Sequence, residues 1–186
     1  EWSGALFGPE NMPDLMKNMF GDFWIRSQAV EPLYPSDLQQ PEFQLPFQYG
    51  RVWSYTGGPH SAWGEDGATA AIDFGPPSTV SGCAKSNEWV TAVAPGVIAR
   101  TGEGVVILDL DGDGDEQTGW NILYLHIETR DKIAAGTAVE AGDKIGHPSC
   151  EGGVSTGTHL HIARKFNGEW ILADGPLSFT LSGYVA

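Results

Sequence analysis

The chain has 186 residues, of which 25 are glycine and 12 proline, and a formal net charge of −14. That length allows one good core with a small appendage, and the acidity excludes nucleic acid as a partner and long-range capture by anionic surfaces. No apolar run approaches the roughly 20 residues of a membrane helix, which argues against membrane insertion, and the first residues carry no signal-peptide pattern, so secretion would imply a processed chain.

Glycine, proline and short β-branched runs predict a mainly β protein with many turns. Residues 1–45 read as an N-terminal extension, and residues 46–186 as the main domain. Within the extension, NMPDLMKNMFGDFW fits one short helix, with Asn11 as N-cap and Pro13 near the first turn. The following EPLYPSDLQQPEFQLPF is proline-rich and extended. Strands are then predicted over 51–55, 70–74, 89–94, 96–101, 105–109, 120–125, 144–146, 158–166 and 170–173.

The histidines follow in chain order. His60 lies in GGPHSAWG, a glycine- and proline-rich turn after a strand. Asp73 lies in AAIDFG, where strand alternation sets it opposite Ile72 and Phe74 and on a face shared with Ala71 and Gly75. An aspartate framed by small residues leaves room for close approach. His126 ends the run ILYLH and, by the same alternation, shares a face with Ile122 and Tyr124. His147, in KIGHPSC, reads as structural or exposed.

His159 and His161 sit in STGTHLHIARKFNGEW. Thr158, Leu160 and Ile162 alternate with His159, His161 and Ala163, so one face joins a core while the other presents both imidazoles. Asn167-Gly168 then closes a hairpin. Imidazole and carboxylate suit zinc, and a catalytic zinc keeps three protein ligands with one position open to water. HExxH is absent, so any such site is assembled from separate strands. At this level the ligands among four histidines and Asp73 stay undecided.

Taken together, His60, Asp73 thirteen residues on, YLH at 124–126 and CEGGVSTGTHLH at 150–161 resemble the lysostaphin-type zinc endopeptidases. LPFQYGRVWSYTGGPHS and CEGGVSTGTHLHIARKFNGEW are similar to their beta-lytic and staphylolysin branch. The resemblance covers about residues 45–175. It implies an antiparallel β-sheet core with long loops walling a narrow groove. It also implies zinc on His60, Asp73 and His161, and two catalytic histidines beside it. Of these, His126 is taken as the general base and His159 as the oxyanion stabiliser. The implied substrates are glycine-containing peptide bonds, in peptidoglycan cross-bridges above all, cut by a secreted monomer.

Two cysteines, Cys83 and Cys150, fit either one disulfide or two free buried thiols. An extracellular setting favours the disulfide. Cys150 matches a cysteine of the family, whereas Cys83 does not stand where its partner is expected. A second departure is DLDGDGDEQTGW, residues 109–120, which resembles the first half of an EF-hand loop. Asp109, Asp111, Asp113 and Asp115 are therefore candidate calcium ligands, although Trp120 stands where the bidentate glutamate belongs. Two other readings compete. One is a catalytically silent module of the same fold that binds wall peptides or regulates a hydrolase; the other is a calcium-dependent β-sandwich adhesion module.

Overall fold

The computed structural model describes residues 34–186, and among these there is no helix. The proposed helix near Asn11 lies outside the described residues. Twelve strands occur: β1 (Ser54–His60), β2 (Ala71–Gly75), β3 (Val90–Thr91), β4 (Gly96–Gly102), β5 (Gly104–Asp109), β6 (Trp120–Ile127), β7 (Ala138–Val139), β8 (Lys144–Gly146), β9 (Leu160–Phe166), β10 (Glu169–Trp170), β11 (Thr180–Leu181) and β12 (Tyr184–Val185). The main sheet runs β1-β2-β9-β6-β5-β4-β7, with β10 paired to β9. All its pairings are antiparallel. β3 pairs with β8 and β11 with β12 in two small sheets.

Alternation divides the sheet into two faces. Ile72, Phe74, Ile98, Val106, Leu108, Ile122, Tyr124, Leu160 and Ile162 enter the larger core, which Val90, Ile145, Phe179 and Leu181 also join. On this side Tyr124 is fully buried, and its hydroxyl accepts the Val93 amide at 2.8 Å, so the core's one phenol is satisfied. The other face carries a smaller apolar cluster built from Ala71, Ala163, Leu123, Leu125, Val105 and Ile107. Its centre is alanine, which keeps that surface low.

The predicted strands recur, β7, β11 and β12 stand beside them without having been predicted, and two local readings change. GGPH lies inside β1 instead of in a turn after a strand. β1 is the sheet edge and slips register twice, between Tyr55 and Gly57 and between Gly57 and His60; an edge tolerates Pro59 because no ladder partner needs its missing N–H. His126 does not share the face of Ile122 and Tyr124. Val105 pairs with Leu125 but Gly104 with Ile127, which leaves His126 as the extra residue of a bulge. Its φ of 66° turns the ring out of the alternation. His147 follows the structural one of its two readings: it is buried, with Nδ1 2.7 Å from the Glu88 carbonyl oxygen.

One compact unit runs Asp37–Ala186, so residues 37–45 of the extension pack with the strands. Phe43 is 4% exposed, edge-on to Trp120 and Phe179. Arg164 is fully buried, donates to the Gln40 side chain and to the carbonyls of Leu172 and Leu177, and lies over Phe179. The guanidinium thereby links the chain before β1 to the turn before β11. We predict that Phe43→Ala destabilises the protein by about 3–5 kcal/mol, read from urea denaturation. A change near zero would show that residues 37–45 lie loosely on the surface.

Candidate metal centre and active site

Three side chains meet on the alanine-lined face. Asp73 on β2 and His161 on β9 are direct cross-strand partners. His60 ends β1, opposite Ala71. His60 Nε2 lies 2.9 Å from Asp73 Oδ2, and His161 Nδ1 lies 3.4 Å from Asp73 Oδ1. One ligand-type atom from each of the three falls within 4.8 Å of the others.

Main-chain carbonyls orient both rings. His60 Nδ1 is 3.2 Å from the Ser61 oxygen, and His161 Nε2 is 3.1 Å from the Ala62 oxygen. A carbonyl only accepts, so a proton on each of those nitrogens turns the other ring nitrogen, as a lone pair, toward the Asp73 carboxylate. Lone pair then faces lone pair. His60 Nε2 and Asp73 Oδ1 are buried with no hydrogen-bond partner. Space is reserved at the same point, because a Cβ on Gly57 would come within 3.0 Å of Asp73 Oδ2. The donor set and its orphaned atoms suit a divalent cation of zinc type.

Burial by itself would raise the Asp73 pKa. The adjacent imidazoles of His161, His159 and His60 outweigh it and hold the carboxyl below its ordinary value.

The two remaining histidines flank this group. His159 Nε2 is 3.7 Å from Asp73 Oδ2, and its Nδ1 is 2.8 Å from the Gly157 carbonyl oxygen. The His126 and His159 ring centroids are 4.4 Å apart, and His126 meets His161 edge-on at 6.1 Å. His126 Nδ1 lies 2.9 Å from the Glu151 carbonyl oxygen. The bulge accounts for this placement, since unbroken alternation would have buried the ring beneath the sheet. At 3% exposure, desolvation lowers the His126 pKa to about 4, against the hydrogen bond that Nδ1 donates to the Glu151 carbonyl, which raises it. The ring is neutral at pH 7.

Cys83 and Cys150 form a disulfide across 67 residues of sequence, and closing a loop of that length contributes about 4 kcal/mol by chain entropy. It joins two segments beside the histidines. The Cys83 segment accepts the Thr158 amide on Gly82 and the Thr158 hydroxyl on Ala84. The Cys150 segment lies between Ser149 and Glu151, which both bond to His126.

The acidic loop stands apart from this site. Asp109 pairs with Asn121 at the other end of β5 and β6 from Val105, four residues and roughly 13 Å along the strand. Oxygens of Asp109, Asp111 and Asp113 come within 4.8 Å of one another; Asp115 is not in that group. The four carboxylates accept the loop's own amides, from Asp111 and Gly114, then Asp113, Asp115 and Gln117. Trp120 is buried in the fold.

An antiparallel sheet that gathers a His–Asp–His set and two further histidines on one face defines a metallopeptidase. The chain belongs to peptidase family M23, whose profile matches residues 79–172; His126, His159 and His161 fall inside that span, and His60 and Asp73 precede it. It is a metalloendopeptidase. It is 27% identical over 143 residues to the beta-lytic metalloendopeptidase of Lysobacter enzymogenes, covering 76% of each chain. It is 28% identical over 148 residues to protease LasA of Pseudomonas aeruginosa, covering 76% of this chain but 32% of LasA. The solved structure of pseudoalterin, an M23 metalloprotease from the deep sea, superposes with a TM-score of 0.61 at 25% identity, covering 78% of this chain and 81% of that one.

Sequence reasoning missed the orienting groups Ser61, Ala62, Glu151 and Gly157. They act through main-chain oxygens, which any residue type possesses. The one available signal was position, next to a histidine or in a glycine-rich turn.

The depressed His126 pKa has a consequence for stability. Its folded value of about 4 lies below the ordinary value of about 6.5, so between these limits the unfolded chain binds more protons and stability falls as pH falls. For protein stripped of metal, the melting temperature is expected to drop from pH 7 to pH 4.5. The drop should be shallower in His126→Gln. Equal slopes for the two proteins would refute the buried, neutral ring.

Proposed function

We propose that the protein is a zinc-dependent endopeptidase cleaving glycine-containing peptide bonds, with peptidoglycan cross-bridges as its substrate. The observation that carries this reading is the convergence of His60 Nε2, Asp73 and His161 Nδ1, with two more imidazoles at their side. In this reading those three residues hold the zinc. Bound there, zinc supplies Lewis-acid polarisation and brings the pKa of water toward about 7.

The chain's own groups do the rest. His126 keeps its proton on Nδ1, against Glu151, so the Nε2 lone pair is free to accept a proton from the attacking water and return it to the leaving amine. Its burial maintains the neutral form that a base requires. His159 also donates through Nδ1, to Gly157, and its Nε2 lies beside the Asp73 carboxylate. That nitrogen stands at the edge of the ligand set, where a ring donor would meet the negative charge that develops on the scissile carbonyl oxygen. Preference for glycine and for wall peptides rests on the resemblance to the lysostaphin-type enzymes. The disulfide supports a secreted protein, because such bonds persist in oxidising compartments.

A silent binding module is disfavoured, since none of the five site positions is lost. Calcium forms no part of this reading: the loop's aspartates are occupied by its own amides, and no glutamate closes it.

Zinc-loaded protein incubated with purified peptidoglycans and glycine-rich peptides, with products identified by mass spectrometry, tests the proposal. Cleavage beside glycine is expected. Ala at His126 or at His159 should lower turnover roughly 10²–10⁴-fold with the zinc content unchanged, whereas Asp73→Ala should lose the metal. Zinc loss from either of the first two variants would overturn the assignment. If the native protein cuts nothing, the same digest with a chain starting at Asp37, which retains Gln40 and Phe43, decides whether the preceding residues block it.

A further inference from the structure

The site reaches His126 from one side, because its other ring nitrogen is already engaged. Nδ1 meets the Glu151 carbonyl at 2.9 Å. Gly153 passes so close that a Cβ there would lie 3.4 Å from the ring's Cε1. The Ser149 amide and hydroxyl donate to the His126 carbonyl at 2.7 and 3.0 Å. Every one of these contacts comes from residues 149–153, so the position of that segment determines what the ring can do.

Two groups fix the Glu151 carbonyl. From one side, the Glu151 carboxylate accepts the Thr129 amide at 2.9 Å and the Thr129 hydroxyl at 2.5 Å, three residues beyond His126. The carbonyl is thereby tied to the strand end that bears the histidine. From the other side, the start of β5 lies main chain against main chain. A Cβ on Gly104 would stand 2.3 Å from the Glu151 oxygen and 2.6 Å from Gly152 Cα. Gly104 has φ +67° and Gly152 φ +82°, conformations that glycine adopts without strain.

We propose that Glu151 and Gly104 are positioning residues for His126: together they seat the Glu151 carbonyl on Nδ1, which selects the Nδ1–H tautomer and leaves the Nε2 lone pair facing the site. The inference rests on His126 acting as the base. Without that acceptor nothing selects between the two neutral tautomers, and a ring protonated on Nε2 cannot take up a proton there.

The test uses the zinc-loaded full chain labelled with ¹⁵N-histidine, in which long-range ¹H–¹⁵N correlation identifies the ring nitrogen that carries the proton. In the native protein His126 shows Nδ1–H. Glu151→Ala and Gly104→Ala are expected to shift it to the Nε2–H form or to a mixture. Their kcat should fall about tenfold or more with KM and zinc content unchanged. Glu151→Gln keeps one oxygen for Thr129 and should restore most of both signals. Gly136→Ala is the control, since Gly136 has φ +82° with nothing within 4 Å; it carries the same backbone strain and should leave tautomer and kcat unaltered. If Gly104→Ala fails to fold, Glu151→Ala, which adds no atom, carries the test.

A fall in kcat with Nδ1–H retained would overturn the proposal, as would a changed tautomer at native kcat. Full turnover by His126→Ala would instead refute the base assignment, while the ring spectra would still report whether Glu151 and Gly104 set the tautomer.

Discussion

The cross-strand pairing of Asp73 with His161 is the constraint on which the rest of the site depends. It places a carboxylate and an imidazole on one rung of an antiparallel ladder, where opposed side chains stand about 5 Å apart. A slip of one residue would send both into the large core, since each is flanked by side chains of that core: Ile72 and Phe74, Leu160 and Ile162. The hydrophobic alternation that folds the sheet therefore also sets the site's register. Moving the site would mean unburying those four side chains.

Around that rung the chain departs from regular structure where a side chain has to be re-aimed. β1 slips twice, which lets an edge strand deliver His60 and leave glycine beside Asp73. β6 carries one extra residue at its end, and that residue is His126. A histidine at positive φ is locally unfavourable. It is sustained by the Ser149 and Glu151 contacts on one side and by the continuous ladder up to Leu125 on the other. The regular part of the fold supplies the stability that the irregular part requires.

The same distinction explains how much of this was legible in the sequence. The alternation of 158–163 and the small neighbours of Asp73 are period-2 patterns, and the strands and faces follow from them directly. His126 misled the same reasoning, because a bulge is invisible to alternation: ILYLH reads as one uninterrupted strand. GGPH misled it in the opposite direction, since glycine and proline signal a turn even when an edge strand accommodates them. The packing of residues 37–45 was hidden by the proline-rich stretch they belong to, in which Phe43 and Leu45 are the apolar side chains that reach the core. As for DLDGDGDEQTGW, composition showed five acids in eight residues, but not that the four aspartates would turn back onto the loop's own amides while Glu116 pairs with Arg100.

Orientation by main-chain oxygen has a further consequence. His60, His126, His159 and His161 each lean on a carbonyl, of Ser61, Glu151, Gly157 and Ala62 respectively. Such a support constrains where the backbone runs and leaves the supporting side chain free. Glu151 uses that freedom inward, to hold Thr129. Between the supports the same loops expose large apolar side chains, Trp63 just beyond Ala62 and Val154 just beyond Gly153. Residues that hold the chemistry and residues that face solvent thus alternate within single loops. Such loops can change what they present at the surface without disturbing the backbone that orients the four rings.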